Sequence, residues 1–246
     1  MSIVDPFENH PFPVLDIRQE DLVSLDQKRE IDFNAVSNYD LPVELMMENA
    51  GLNVSRLVSK IIEPGSHVVI GCGKGNNGGG GLVAARRLRG WGYQVSLDLP
   101  ENPENFRSLP ATQLKRTLAF GVRKNRHKAP DLVVDAYFGF NYHRPMDKRY
   151  ANSVEWINSL DCPVISVDLP SGVSEATEAN DLIVKPDAVC VLAAPKTVAF
   201  QPEVTGRKFI ADLGIPRKAF RDLGIPIGFD FSKGTLFEAR LKASSV

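Results

Sequence analysis

The chain has 246 residues, 43% of them apolar, and a formal net charge of −1. That length suits one large α/β domain or at most two small ones, and the apolar share fills a complete core. A net charge this close to zero argues against a nucleic-acid surface as the main role, and no apolar run is long enough to span a membrane.

The three cysteines, Cys72, Cys162 and Cys190, are odd in number and far apart. They read as reduced thiols of an intracellular, cytoplasmic protein. There is no CxxC pair and no HExxH, so a zinc site is not expected. The first residues, Met1 to Val14, lack the basic-then-apolar order of a secretory signal.

In chain order, residues 1–18 read as an extended arm. The stretch from Asp16 to about Val36 mixes Leu22, Val23, Leu25, Ile31 and Phe33 with charges, which suggests a short surface helix. Asn38-Tyr-Asp40 reads as a turn, with Asp40 as N-cap of a second helix opened by Leu41-Pro42. Ala50, Val54, Leu57, Val58 and Ile61 share one face of that helix, and Pro64-Gly65 ends it. From residue 66 onward strands and helices alternate. Strands are predicted near 67–71, 94–99, 131–135, 163–168, 187–193 and 207–212. Helices are predicted near 80–90, 103–119 and 151–160. Leu132-Val-Val134 and Val164-Ile-Ser-Val167 are unbroken apolar runs, as in a sheet covered on both faces. The tail after Lys233 is polar and reads as a short helix with a loose end. The expected fold is α/β: a Rossmann-like, doubly wound, mostly parallel sheet with helices on both faces and an N-terminal helical extension. We expect one domain over 1–246, with an arm and helices in 1–64, a core in 65–216 and a tail in 217–246.

One stretch organises the chain. His67-Val-Val-Ile70 leads into Gly71-Cys-Gly-Lys-Gly-Asn-Asn-Gly-Gly-Gly-Gly81, and Leu82-Val-Ala-Ala-Arg-Arg-Leu88 leads out. A strand, a glycine loop and a helix in that order make an anion site, because loop N–H groups and the helix N-terminus point the same way. No Gly-Lys pair is followed by Ser or Thr, so it is not a Walker A loop. It carries the spacing Gly73-x-Gly75-x-x-Gly78, with Asp98 about twenty residues on, where a ribose-binding acid would stand. Asn76 and Asn77 add side-chain amides.

In a doubly wound sheet, ligands bind at the carboxyl ends of the strands. There the later strands deliver Asp135, then Asp168 with Ser171, then Lys196. Each alone has an ordinary reading. Asp98, Asp135 and Asp168 could cap turns, Lys196 could be a solvated lysine, and His143 a surface histidine. Their convergence on one rim favours a functional site.

Gly73-Lys-Gly-Asn-Asn-Gly-Gly-x-Gly-Leu-Val-Ala-Ala-Arg-Arg-Leu88 resembles the signature loop of the YjeF N-terminal domain family, the NAD(P)H-hydrate epimerases. Val134-Asp-Ala-Tyr-Phe-Gly139, Val167-Asp-Leu-Pro-Ser-Gly172, Ala194-Pro-Lys196 and Ile210-Ala-Asp-Leu-Gly-Ile-Pro216 extend the resemblance over about Leu22 to Ile215. The resemblance implies interconversion of the R and S forms of hydrated NADH and NADPH. It implies that Asn76, Asn77, Gly78, Gly79 and Gly80 contact the dinucleotide, together with Gly139, Phe140, Asn141, Tyr142, His143, Arg144, Pro145 and Asp168. It implies a potassium ion on Asn77, Asp135 and Ser171, and catalysis by Asp168 with Lys196. The helical N-terminal segment reads as a homodimer surface, and neither a membrane nor a nucleic-acid partner is expected. Three positions depart from the pattern. Gly80 stands for the usual aspartate, Asn141 for a common second glycine, and Val189 for a frequent threonine. A weakened or inactive member serving as a binding or scaffold protein is therefore the alternative. An ordinary NAD-dependent oxidoreductase using Asp98 ranks third.

Overall fold

Six apolar runs become strands of one eight-stranded sheet, and both ends of the chain add a strand at the edge opposite β3. The computed structural model describes residues 6–7, 12–127 and 129–242. The elements are β1 (Val14–Ile17), α1 (Leu25–Tyr39), α2 (Val43–Val58), β2 (His67–Cys72), α3 (Asn76–Gly90), β3 (Gln94–Asp98) and α4 (Ser108–Ala119). There follow β4 (Leu132–Ala136), α5 (Lys148–Asn158), β5 (Val164–Val167), β6 (Ala188–Leu192), β7 (Arg207–Ala211), α6 (Arg217–Arg221) and β8 (Leu236–Leu241). The strand order is β1-β8-β7-β6-β5-β4-β2-β3. Every pair is parallel except β7 with β8.

The central strands are buried on both faces, which explains their unbroken apolar runs. Side chains alternate across β2: Val68, Ile70 and Cys72 join Val54, Leu57, Leu82 and Leu88 in one core. Val69 faces the other way, toward Val133, Val154 and Ile157 of β4 and α5. The chain runs from β2 outward to β3, then crosses back to β4 on the other side of β2. The junction between β2 and β4 is therefore the topological switch point, where a crevice opens at the carboxyl ends.

The glycine run departs from expectation. Helix α3 begins at Asn76, so the glycines form its first turns rather than a loop. Close packing explains why. A Cβ on Gly79 would lie 2.6 Å from the Met47 side chain of α2, and one on Gly81 would lie 2.7 Å from the Ala136 Cβ of β4. Bare backbone lets α3 press against both neighbours. Gly80 is different: a Cβ there would meet only Ala50 Cβ, at 3.7 Å.

The N-terminal reading is also corrected. The stretch from residue 16 holds the end of β1 and a short 3-10 turn (Gln19–Asp21) before α1 starts at Leu25. Ser24 caps α1, its hydroxyl accepting from Gln27 N–H while its own N–H donates to the Gln27 side chain. Asp40 does not cap α2; it closes α1 in the left-handed region at φ 50°, and Pro42 precedes the first turn of α2. The expected C-terminal helix is instead strand β8, paired antiparallel with β7 and parallel with β1. The reading of residues 1–5 and 8–11 as an arm lies outside the described residues. Among the described residues no helix is long and apolar enough to cross a membrane.

Candidate active site

A cavity of about 620 Å³ opens at the switch point. The first turn of α3 forms one wall, with Gly75, Asn76, Asn77 and Gly80. The loop after β4 forms another, and α1 and α2 close the far end with Lys28, Asp32 and Met46. The volume lies within the range of ligand pockets, roughly 300–1,000 Å³.

Beneath the cavity floor lies a buried polar network. Asp135, fully buried on β4, accepts from Ser166 Oγ (2.8 Å), Ser171 N–H (2.8 Å) and Ser171 Oγ (2.5 Å). Burial pushes its carboxyl up despite the hydrogen bonds from Ser171 and Ser166. Ser171 Oγ also accepts from Phe138 N–H at 3.0 Å, tying the β5 loop to the β4 loop. The Asn77 amide donates to Phe138 O (2.8 Å) and Val167 O (3.2 Å), tying α3 to both strand ends. Asp135 and Ser171 thus sit under the cavity, whereas Asn77 reaches it.

Asp168 is the carboxylate at the cavity itself. It follows β5 in the left-handed region, at φ 70°. Its Oδ2 accepts from Phe140 N–H (3.0 Å), and its Oδ1 receives Lys196 Nζ at 2.7 Å. The pair is almost fully buried, with Asp168 at 3% and Lys196 at 0% side-chain exposure. Burial raises the Asp168 carboxyl, but Lys196 and Lys28 together outweigh it and hold the group below its ordinary value. Asp168 is thus held as a carboxylate beside the cavity, with oxygens that can accept a proton. Lys196 also donates to Leu192 O at 2.8 Å and stands behind Asp168 rather than on the cavity wall. Gly139 marks where the Asp168 and Asn77 side chains converge: a Cβ there would lie 2.9 Å from Asp168 Oδ2 and 3.2 Å from Asn77 Oδ1.

The other end of the cavity is cationic. Lys74, Arg107 and Arg149 line it beside the α3 N-terminus. Buried Glu101 anchors this group, accepting from Arg149 Nη1 at 2.8 Å and Asn105 Nδ2 at 2.8 Å, with Lys74 Nζ at 3.4 Å. These contacts hold its carboxyl down at about 2, the Asn105 hydrogen bond contributing most.

Of the residues singled out in the sequence, Asn76, Asn77, Gly80, Gly139, Phe140, Asn141, Tyr142, His143, Pro145 and Asp168 line the cavity. Gly78 and Gly79 face the packing interfaces of α3 instead. Arg144 turns away to pair with Asp181 and donate to Ala176 O at 2.8 Å. Asp98 is engaged by the Tyr137 hydroxyl at 2.6 Å, so it is not a free ribose acceptor. Lys28, Arg29, Asp32, Lys74, Glu101, Arg107 and Arg149 were not singled out. Among them the Lys28–Asp32 spacing is visible in sequence as an i,i+4 pair, and Lys74 lies within the glycine stretch; the others arrive by tertiary packing.

A doubly wound α/β sheet with a buried Asp–Lys pair at its switch-point cavity has the layout of an α/β enzyme. The chain belongs to the YjeF-related protein N-terminus family, whose model matches residues 43–198. It is 31% identical over 211 residues to the NAD(P)H-hydrate epimerase of Rhodopirellula baltica, covering 80% of this chain and 86% of that protein. It is 32% identical over 208 residues to the bifunctional NAD(P)H-hydrate repair enzyme Nnr of Thermofilum pendens, covering 78% of this chain but only 40% of that longer protein. The crystal structure of yeast ynu0 superimposes with a TM-score of 0.75 at 26% identity, over 88% of this chain and 99% of that one.

Proposed function

We propose that this protein interconverts the R and S epimers of hydrated NADH and NADPH. The observation that carries the proposal is the buried Asp168–Lys196 pair, 2.7 Å apart, at a switch-point cavity in a chain of this family. In the hydrate, C6 of the reduced nicotinamide bears a hydroxyl next to the ring nitrogen. Inversion needs that carbon to become planar and be attacked again from the other face. Both halves move a proton, and Asp168 is the base within the cavity. Lys196 keeps Asp168 ionised and in place. The diphosphate belongs at the cationic end, near Lys74, Arg107 and the α3 N-terminus, where backbone N–H groups and positive charge suit an anion.

Potassium fits the donor set beneath the cavity. Asn77, Asp135, Ser171 and the Phe138 and Val167 carbonyls are all oxygen-bearing, with a single carboxylate among them. Oxygen ligands suit a hard cation, and one carboxylate matches a monovalent charge. Turning the Asn77 amide would present Oδ1 in place of Nδ2. Bound there, the ion would brace the Phe138–Phe140 loop against β5. Among the described residues no cluster of three or more His, Cys, Asp or Glu forms a transition-metal site. We further propose a cytoplasmic homodimer, joined through the N-terminal helices, whose Phe33 and Leu45 are 72% and 52% exposed. Sedimentation showing only monomer would reject that interface.

The test is direct. Purified R or S hydrate of NADH, incubated with the protein with and without potassium, should relax to the epimer mixture, faster with potassium. Unchanged epimers would reject the reading and favour the weakened, non-catalytic alternative raised by Gly80.

A further inference from the structure

The cavity wall carries a buried lysine with no role in the scheme above. Lys28 lies in the first turn of α1, with 2% of its side chain exposed, and forms part of the cavity wall. Its placement is built in. Just before α1, Val23 pairs as a parallel bridge with Lys196 itself: Val23 N–H donates to Pro195 O (2.8 Å), and Thr197 N–H donates to Val23 O (2.9 Å). The Ser24 capping box then starts the helix, and one turn later Lys28 arrives in the site. Lys28 Nζ lies 5.0 Å from the centre of the Phe140 ring, and Lys196 Nζ lies 5.9 Å from the same ring. Phe140 donates its N–H to Asp168, so both ammonium groups and the carboxylate surround one residue. Arg29, the next residue, donates to Asn141 Oδ1 at 3.2 Å and closes α1 onto the site loop.

Burying a lysine is costly unless it is paired. Lys28 does pair, with Asp32 one turn on, but that carboxylate is 30% exposed and also lines the cavity. A methionine would fill the same space without the cost. The two ion pairs differ in access: Lys196 stands behind Asp168, whereas Lys28 and Asp32 both face the cavity.

Building on the epimerase reading, we propose that Lys28 is a second proton-transfer residue, the acid that protonates the departing hydroxyl while Asp168 acts on the incoming water. The C6–O bond breaks and its electron pair leaves with oxygen. The lone pair on the ring nitrogen forms the N1=C6 bond. Lys28 passes one Nζ proton to the leaving group, which departs as water. A water molecule then adds to C6 from the opposite face and gives a proton to Asp168. Lys28 is left neutral beside Asp32, Asp168 is left protonated, and exchange with solvent in the open cavity restores both. The reverse epimerisation uses the same two groups with their roles exchanged.

The test compares Lys28→Met, Lys28→Arg and Lys28→Ala on purified hydrate epimers. Lys28→Met should lose about a hundredfold or more in kcat, the range of general acid catalysis. KM should move less than about threefold, since the substrate is still held. Lys28→Arg should stay slow, because a guanidinium keeps the charge but does not release its proton. Added ethylamine should restore Lys28→Ala in a saturable way, which a packing role would not permit. A folded Lys28→Ala that no amine rescues overturns the proposal, as does Lys28→Met with kcat within about threefold of wild type. If the wild-type protein itself leaves the epimers unchanged, the epimerase reading falls and the role of Lys28 with it. An active wild type with an active Lys28→Met removes only the Lys28 assignment.

Discussion

At the scale of single residues, Asp168 combines two properties that a test can separate. It is a buried charge partner, and it sits at φ 70°, a conformation that asparagine also tolerates. Asp168→Asn therefore removes the charge without new backbone strain. It should cost about 3 kcal/mol in chemical denaturation, because Lys196 is left buried and unpaired. It should also lower epimerisation by about a hundredfold or more; full activity would reject Asp168 as the base. Glu101 supplies a pH signature. Its carboxyl is held down at about 2, below an ordinary 4.5, so it contributes stability above pH 4.5 that is lost as pH falls toward 2. Acid unfolding of Glu101→Gln should be flatter across that window than wild type. Asp135 works the other way: burial raises its carboxyl, so protonation relieves rather than creates a penalty as pH falls.

At the scale of elements, α3 shows why a run of glycines forms a helix here. Its glycines are weak helix formers, yet the helix is specified by how closely α2 and β4 approach. The positions should therefore respond in opposite directions to one methyl group. Gly81→Ala must push against Ala136 and Cys72 Sγ and should lose about 2 kcal/mol by thermal or urea unfolding. Gly80→Ala meets only Ala50 and should gain up to about 1 kcal/mol from helix propensity. The same free space admits a longer side chain facing the cavity. Gly80→Asp should fold normally and tighten dinucleotide binding, measured by fluorescence titration; weaker binding would mean that this wall is used differently.

At the scale of the whole molecule, what the sequence reveals follows the range of the interactions. Strands β2, β4, β5 and β6 are legible because burial on both faces writes an apolar run, a local signal, and β3 and β7 because they alternate with helices or short turns beside them. Strands β1 and β8 are not. Asp16, Glu238 and Arg240 interrupt them, and the two strands pair with each other across more than two hundred residues, as in Val14 with Glu238. The site divides the same way. Asp135, Asp168 and Lys196 stand at strand ends and could be read from position alone. Lys28, Glu101 and Arg149 enter through packing of two helices and a loop that no local pattern records. The terminal strands also carry weight: Leu236 and Phe237 are buried, and β8 is the only strand joining β1 to β7 among the described residues. A chain ending before Leu236 would expose the β7 edge and should melt earlier and aggregate, as unpaired edges do.

The bridge between Val23 and Lys196 makes the first helix an accessory that cannot be detached quietly. Val23→Pro would remove the N–H that donates to Pro195 O while the central strands stay paired, loosening Lys28 and Lys196 together. Such a variant should keep the circular dichroism of the wild type yet lose the proposed epimerisation, so one backbone bond beside α1 is where this protein would be silenced without unfolding.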